Sequence, residues 1–445
     1  MKILLVEPDD RSVPGLNFGG LFTMEPMSLE LIAAAVPEHD VKIVDLRLDP
    51  LPVEHYLKDF RPDVVGVTGF TALHHEMNKV LREGKRVGAF TVAGGPHASF
   101  AYKDLDNLDA AVIGEGEGTF RQLILTLESA GDLSSVPNLA WWNSREWMRN
   151  PEQTYDLWPL PRRCFVRDYR YTAFGLDVAM VEATRGCPHR CRFCITPRLF
   201  RGRYRVRPVE EIVDYIATRP EPFIMFPDAD WLASKTYVSS LLDQVRGAEI
   251  KKKYSVALRA DEVASSPNLV EDWSKAGLCF AFIGFEGYKQ NHQDSYQKDS
   301  QIEDNMVAVS ILNKCNIVSI GTLIVDPKWT TVELDECLSY ARKLASDITF
   351  FSVLTPFPGA PIQENSRIIA TYDKFDVLHA VTETALPYQK FQRHFVKISK
   401  AVFLGRATMR LLWKLLRRKL LTVSGLTLLG RIWNYIATID RKVTN

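Results

Sequence analysis

The run Glu182-Ala183-Thr184-Arg185-Gly186-Cys187-Pro188-His189-Arg190-Cys191-Arg192-Phe193-Cys194 puts three of the chain's seven cysteines on one short segment, spaced Cys-x3-Cys-x2-Cys. It follows directly on the apolar stretch Val178 to Ala183, which reads as a strand. Three thiolates this close can ligate three irons of a cubane cluster and leave the fourth iron open. An open iron is something a substrate or cosubstrate can chelate, which points to catalysis more than to electron storage. Zinc is the rival reading. Structural zinc usually takes four ligands as two separated pairs, whereas Cys164, Cys279, Cys315 and Cys337 each stand alone.

Outward from that loop, residues 176–365 alternate strand and helix signals six times, the pattern of a partial (β/α)6 barrel. The expected strands are Val178 to Ala183, Phe223 to Phe226, Tyr254 to Leu258, Cys279 to Phe285, Val318 to Val325 and Ile348 to Leu354. Chemistry in such barrels gathers at the C-terminal strand ends. Asp228-Ala229-Asp230, Arg259, Glu286, the Gly321–Asp326 stretch with Thr322, and the Ser352–Thr355 stretch with Leu354 stand at those ends, in a ring facing the cysteine loop. Each also has a plain structural use, Arg259 paired with Asp261 and Glu286 capping the next helix.

Residues 1–135 alternate strand and helix patterns as well, which predicts a doubly wound, Rossmann-like α/β domain with a parallel sheet. Strand ends run into Thr68-Gly69-Phe70-Thr71, Gly94-Gly95-Pro96-His97 and Gly114-Glu115-Gly116-Glu117. Glycines there let a ligand approach the backbone at the carboxyl edge of the sheet. Neither Gly-x4-Gly-Lys-Ser/Thr nor Gly-x-Gly-x2-Gly follows the first strand, so phosphate alone does not account for them. Residues 136–175, broken by Pro137, Pro159 and Pro161, read as a connector, with Trp141, Trp142, Trp147 and Trp158 packed between domains.

Residues 366–445 read as a helical C-terminal region. From residue 400 basic side chains crowd, with Asp440 the only acid. Leu404, Thr408, Leu411, Leu412, Leu415, Leu416 and Leu420 keep helical spacing, Arg406, Arg410, Lys414, Arg417 and Arg418 line the other side, and a second apolar pattern runs through Leu429, Ile432, Trp433 and Ile436. Such a tail suits either an anionic lipid surface or a helix packed on the barrel with a solvated basic face. With 55 basic against 54 acidic residues, no global charge argues for nucleic acid. No apolar stretch reaches the ~18 residues of a membrane span. Clustered free cysteines without a secretion signal suggest the cytoplasm, with the tail allowing peripheral contact at the inner membrane surface.

The cysteine loop, with Phe193 before its last cysteine, resembles the signature of the radical S-adenosylmethionine (SAM) superfamily. The resemblance implies a 4Fe–4S cluster on Cys187, Cys191 and Cys194, whose open iron SAM chelates. One electron, from a donor such as flavodoxin or ferredoxin, then cleaves SAM to methionine and a 5′-deoxyadenosyl radical. It also implies SAM contacts from Phe193, Asp228, Ala229, Asp230, Arg259, Glu286, Thr322 and Leu354. The N-terminal half is similar to the cobalamin-binding domain fused to many of these enzymes, through Glu25-Pro26-Met27-Ser28-Leu29-Glu30, Asp63 to Thr68, Gly94 to His97 and Gly114 to Glu117. That likeness implies a corrin on Thr68, Gly69, Phe70, Thr71, Gly94, Gly95, Pro96, His97, Gly114, Glu115, Gly116 and Glu117, with His97 a loop residue near the corrin or its tail. The Asp-x-His-x2-Gly segment that supplies a cobalt ligand in many such domains is absent between Asp9 and Gly20, which leaves the group under cobalt open. A vestigial fold without cofactor is the alternative. Leu354 to Pro361, Asp376 to Val381 (with His379) and Thr384 to Pro387 resemble a subfamily holding an anaerobic oxidative cyclase and hopanoid-modifying enzymes. The reading is therefore a C-methyltransferase acting on a small molecule such as a lipid or tetrapyrrole. A cyclase, oxidase or rearrangement enzyme without methyl transfer is the first rival, and a non-catalytic cobalamin- or zinc-binding module the second.

Overall fold

Continuous apolar runs make strands buried on both faces, the condition for parallel sheets covered by helices. The computed structural model describes residues 1–11, 13, 22–402, 406–418, 430 and 439, with the side chains of 406–409 left aside. The first sheet runs in space Asp40–Asp45, Lys2–Glu7, Val64–Thr68, Phe90–Gly94, Ala110–Val112, then Leu139–Trp142 and Trp147–Arg149. Its first five strands are parallel. The order reverses between Lys2–Glu7 and Val64–Thr68, which opens a crevice at their carboxyl ends.

The second sheet carries six parallel strands, Leu176–Met180, Phe223–Met225, Lys253–Arg259, Leu278–Glu286, Val318–Val325 and Ile348–Val353. The first ends three residues before its expected place, and the other five lie within one residue of theirs. Two short antiparallel strands, Thr172–Ala173 and Phe22–Thr23, extend its first edge. The chain thus crosses to the barrel at Phe22 before returning to the first sheet.

Three expectations need correction. The 136–175 stretch is not bare connector: Leu139–Trp142 and Trp147–Arg149 form an antiparallel hairpin on the first sheet. Trp142 and Trp147 meet edge-on across it (5.8 Å), and Trp141 donates to Asn150, whereas Trp158 is buried under the guanidinium groups of Arg185, Arg205 and Arg207. His97 is no loop residue, because Gly95–Ala101 is helical from its start and the imidazole is fully buried. Pro96 in the first helical turn is the signal that marks this start.

The basic stripe of the tail is not a free face either. The helix Arg406–Arg417 buries Leu411 and Leu415 against the barrel core. Arg410 pairs with Asp347 (2.7 Å), Lys414 with the same carboxylate (2.6 Å), and Arg418 with carbonyls of Ser274, Cys315 and Asn316. Trp413, Leu416 and Arg417 are exposed on this helix. Leu404, Leu420, Leu429, Ile432, Trp433 and Ile436 lie outside the described residues, as do the side chains of Arg406 and Thr408. No helix among the described residues is long and apolar enough to cross a membrane.

Candidate active site

The cysteine loop is a closed excursion from the end of the first barrel strand. Its base is a two-stranded antiparallel ladder, Thr184 opposite Val206 and Arg185 opposite Arg205. Gly186 holds φ +88°, and a Cβ there would lie 1.9 Å from the Arg203 carbonyl oxygen, so only glycine allows the loop to close this tightly. Asp228, at the end of the second strand and 2% exposed, accepts the backbone N–H groups of Thr184 and Ala183. Burial pushes its carboxyl up to about 7. Its carboxylate therefore anchors the loop from the neighbouring strand.

Around the loop the structure gathers most of the expected ring. Burial pushes the Cys187 thiol up to about 12 and raises Cys191 too. Arg259, at the end of the third strand, clamps Asp261 (3.0 and 3.1 Å), donates to the Lys298 carbonyl and brings Nη1 to 3.9 Å from Cys191 Sγ. Glu286 ends the fourth strand at φ +60° and accepts from Lys298 Nζ (3.0 Å), which also donates to the Gly284 carbonyl (2.7 Å). Helix capping is thus not what Glu286 does here. Ala229 stands exposed between buried Asp228 and Asp230. Phe193 meets Tyr296 edge-on at 5.6 Å, Thr322 is half-buried on the fifth strand, and Leu354 N–H donates to the Val325 carbonyl (2.9 Å).

Sequence reasoning missed two parts of this ring. Lys298, 3% exposed, bridges Arg259 and Glu286, although nothing local marks it. His189, inside the loop, sits 3.0 Å from Asp230 and 3.6 Å from Glu262, contacts that lift its imidazole to about 9. Its place between two of the cysteines was the available signal. His379, in the stretch after the sixth barrel strand, is buried beside Asp376 (2.9 Å) in a turn with Val377 at φ +61°.

At the crevice of the first sheet lies a cavity of about 520 Å³. Thr68, Gly69, Phe70, Gly94, Gly95, Pro96, Gly114, Glu115, Gly116 and Glu117 all line it, while Thr71 and His97 do not. His97 instead faces Thr71 Oγ1 (3.3 Å) and packs against His74 and Tyr372, burial holding it down at about 4. No histidine stands among the described lining residues. Met180, Glu182, Arg185, Leu199 and Phe200 complete the wall from the barrel side, so the cavity borders the base of the cysteine loop. The segment after the sixth barrel strand ties the parts together: Ile362 N–H donates to the Arg192 carbonyl, and Tyr372 O–H to Asp104 of the first domain.

Residues 20–124 match the B12 binding domain, and residues 181–341 match the radical SAM superfamily. The chain belongs to the cobalamin-binding radical SAM enzymes. This radical SAM enzyme is similar to the hopanoid C-3 methylase of Methylococcus capsulatus, 28% identical over 420 residues that cover 91% of this chain and 80% of that protein. It is similar to the anaerobic magnesium-protoporphyrin IX monomethyl ester cyclase of Cereibacter sphaeroides, at 26% over 397 residues, 82% of this chain and 64% of that one. In fold it is similar to the radical SAM methyltransferase TsrM of Kitasatospora setae, solved with tryptophan and a SAM analog, with a TM-score of 0.71, 18% identity, and 89% and 88% of the two chains covered.

The residues fit the groups that membership implies. Three unpaired thiols on one loop beside the Arg259 cation are a donor set for an iron cluster that keeps one corner free. The cavity wall suits a corrin: a Cβ built on Gly94 meets nothing within 4 Å, so the backbone there lies open to a large flat ligand. Gly94→Leu puts a side chain into that space without touching the fold. It is expected to weaken cobalamin uptake at least tenfold, about 1.4 kcal/mol, with the melting curve of the cofactor-free protein unchanged. An absorbance titration measures the first, and a melt the second.

Proposed function

We propose that the protein is a cobalamin-dependent radical SAM methyltransferase that adds a methyl group to an unactivated carbon of a lipophilic small molecule. One observation carries this reading: the corrin cavity and the cysteine loop share a wall, formed by Met180, Glu182, Arg185, Leu199 and Phe200. When bound, the cluster and SAM supply a 5′-deoxyadenosyl radical and the corrin supplies the methyl group. The chain's own residues do the rest. Asp228 and Gly186 fix the loop, the Arg259–Lys298–Glu286 chain presents charged groups beside Cys191, and the segment after the sixth barrel strand holds the loop from its other side through Ile362 N–H and the Arg192 carbonyl. The hopanoid methylase likeness supports a lipid as substrate, and the protoporphyrin cyclase likeness a tetrapyrrole. Arg190, exposed on the cysteine loop, supports reduction by an acidic donor such as a flavodoxin or ferredoxin.

The test is the fate of label from methyl-labelled SAM in assays with candidate polycyclic lipids and tetrapyrroles. Label recovered in the product is expected. A product that has lost hydrogen and carries no label would move the protein to the cyclase or oxidase reading, and no 5′-deoxyadenosine at all would end the radical reading.

A further inference from the structure

Arg185 lies two residues before Cys187, and its side chain is 4% exposed. Its guanidinium binds three carboxylates at once: Glu115 (3.0 Å), Glu117 (2.9 Å) and Glu182 (2.6 Å). Glu182 belongs to the barrel, but Glu115 and Glu117 belong to the Gly-Glu-Gly-Glu loop at the corrin cavity. Arg205, opposite Arg185 in the ladder, also grips Glu115 and donates to the Tyr155 carbonyl. The Arg185 guanidinium further lies over the Trp158 ring, 4.5 Å from its centroid. The two carboxylates are therefore engaged by the neighbouring domain rather than available to a ligand. The loop of one site and the base of the other are bolted through buried Arg185, the cation that holds both Glu115 and Glu117, with Arg205 as a second hold on Glu115.

We infer that Arg185, with Glu115 and Glu117, is a positioning device that sets the separation and tilt between the corrin and the cluster-bound SAM. The inference rests on the reading above and deepens it. A guanidinium holds several carboxylates in fixed directions, whereas an ammonium is a point charge on a flexible stem. Transfer between two cofactors depends steeply on their relative placement: about 1 Å of misplacement can cost ~10²-fold in rate. The radical formed at one site then outlives its productive geometry, and SAM cleavage runs without methylation.

The experiment uses full-length protein loaded anaerobically with iron, sulfide and cobalamin, comparing Arg185→Lys, Glu117→Gln and a control, Arg207→Lys. Arg207 also lies over Trp158 (4.8 Å) but bonds Glu211 and the Pro159 carbonyl, not the first-domain loop. After reduction, paramagnetic resonance reads the spin–spin interaction between cobalt(II) and the reduced cluster, while product analysis reads methylated product per 5′-deoxyadenosine. In Arg185→Lys and Glu117→Gln the spin–spin interaction is expected to shift and the product ratio to fall about tenfold or more, with iron and corrin content at the wild-type level. The control is expected to keep the wild-type spectrum and ratio. An unchanged spectrum and ratio in both variants would overturn the inference, as would loss of corrin or cluster, since the residues would then hold a cofactor rather than place it. Wild-type protein with no interacting spins would instead refute the proposed function, and the inference would fall with it.

Discussion

Cys191→Ala is expected to take 5′-deoxyadenosine formation to background while leaving cobalamin uptake intact. Cys191 is the most buried of the three cysteines and the one within reach of Arg259, so its loss removes the proposed cluster ligand that this guanidinium faces and leaves Arg259 with only Asp261 and the Lys298 carbonyl. A cluster on two thiolates lacks the three-point hold that keeps the fourth iron in place for SAM. The cavity proposed for the corrin is lined from the barrel side by Met180, Glu182, Arg185, Leu199 and Phe200, with no cysteine among its described lining residues, and the loop's base ladder lies outside the substituted position. Iron content, deoxyadenosine yield and corrin absorbance, measured on one preparation, separate the outcomes. Deoxyadenosine at wild-type yield would remove the cluster assignment. Loss of corrin binding together with iron would show that the loop is needed for the fold of the cavity.

Much of this was legible because burial on both faces writes itself into a strand as an unbroken apolar run. The runs at Leu4 to Val6, Val64 to Val67, Leu278 to Phe285 and Val318 to Val325 place both sheets, and the polar residue after each run places the ring. What escaped depends on distant partners. Phe22–Thr23 is a strand only because Thr172–Ala173 lies beside it. Lys298 finds its role through Arg259, which is far away in sequence. Glu115 and Glu117 read as cavity residues, and they do line the cavity, but their carboxylates point to Arg185. The tail misled for the same reason: a stripe of Lys and Arg is ordinarily a solvated face, and only the fold reveals that Asp347 lies beneath it.

Asp347→Ala is expected to destabilise the barrel by about 3–5 kcal/mol, the cost of leaving one partner of a buried ion pair uncompensated. Asp347 sits at the start of the sixth barrel strand, on the face opposite the cysteine loop. One carboxylate oxygen accepts from Lys414 Nζ (2.6 Å) and from the Ser319 backbone and hydroxyl, and the other accepts from Arg410 Nε (2.7 Å). Lys414 is 1% exposed and is otherwise held by Asn313 and the Ile317 carbonyl, neither of which carries charge. Burial lowers the Lys414 pKa even with Asp347 present. A lysine whose folded value lies below its unfolded value releases protons on folding, so stability rises with pH between the two values and falls as pH drops through them. Removing Asp347 lowers the folded value further, so the deficit of the variant is expected to be larger at neutral pH than near the ordinary lysine range. Asp347→Ala combined with Lys414→Met removes the fully buried pair and leaves only the partly exposed Arg410 without its carboxylate, so it is expected to recover much of the loss, because an apolar pair replaces an ion pair at little cost. Melts of the three proteins across pH check this. A single variant as stable as wild type, or a double variant no better than the single, would mean that this helix is not held by the pair. Deoxyadenosine yield per folded molecule is expected to stay at the wild-type level, since the pair and the cysteine loop lie at opposite ends of the strands.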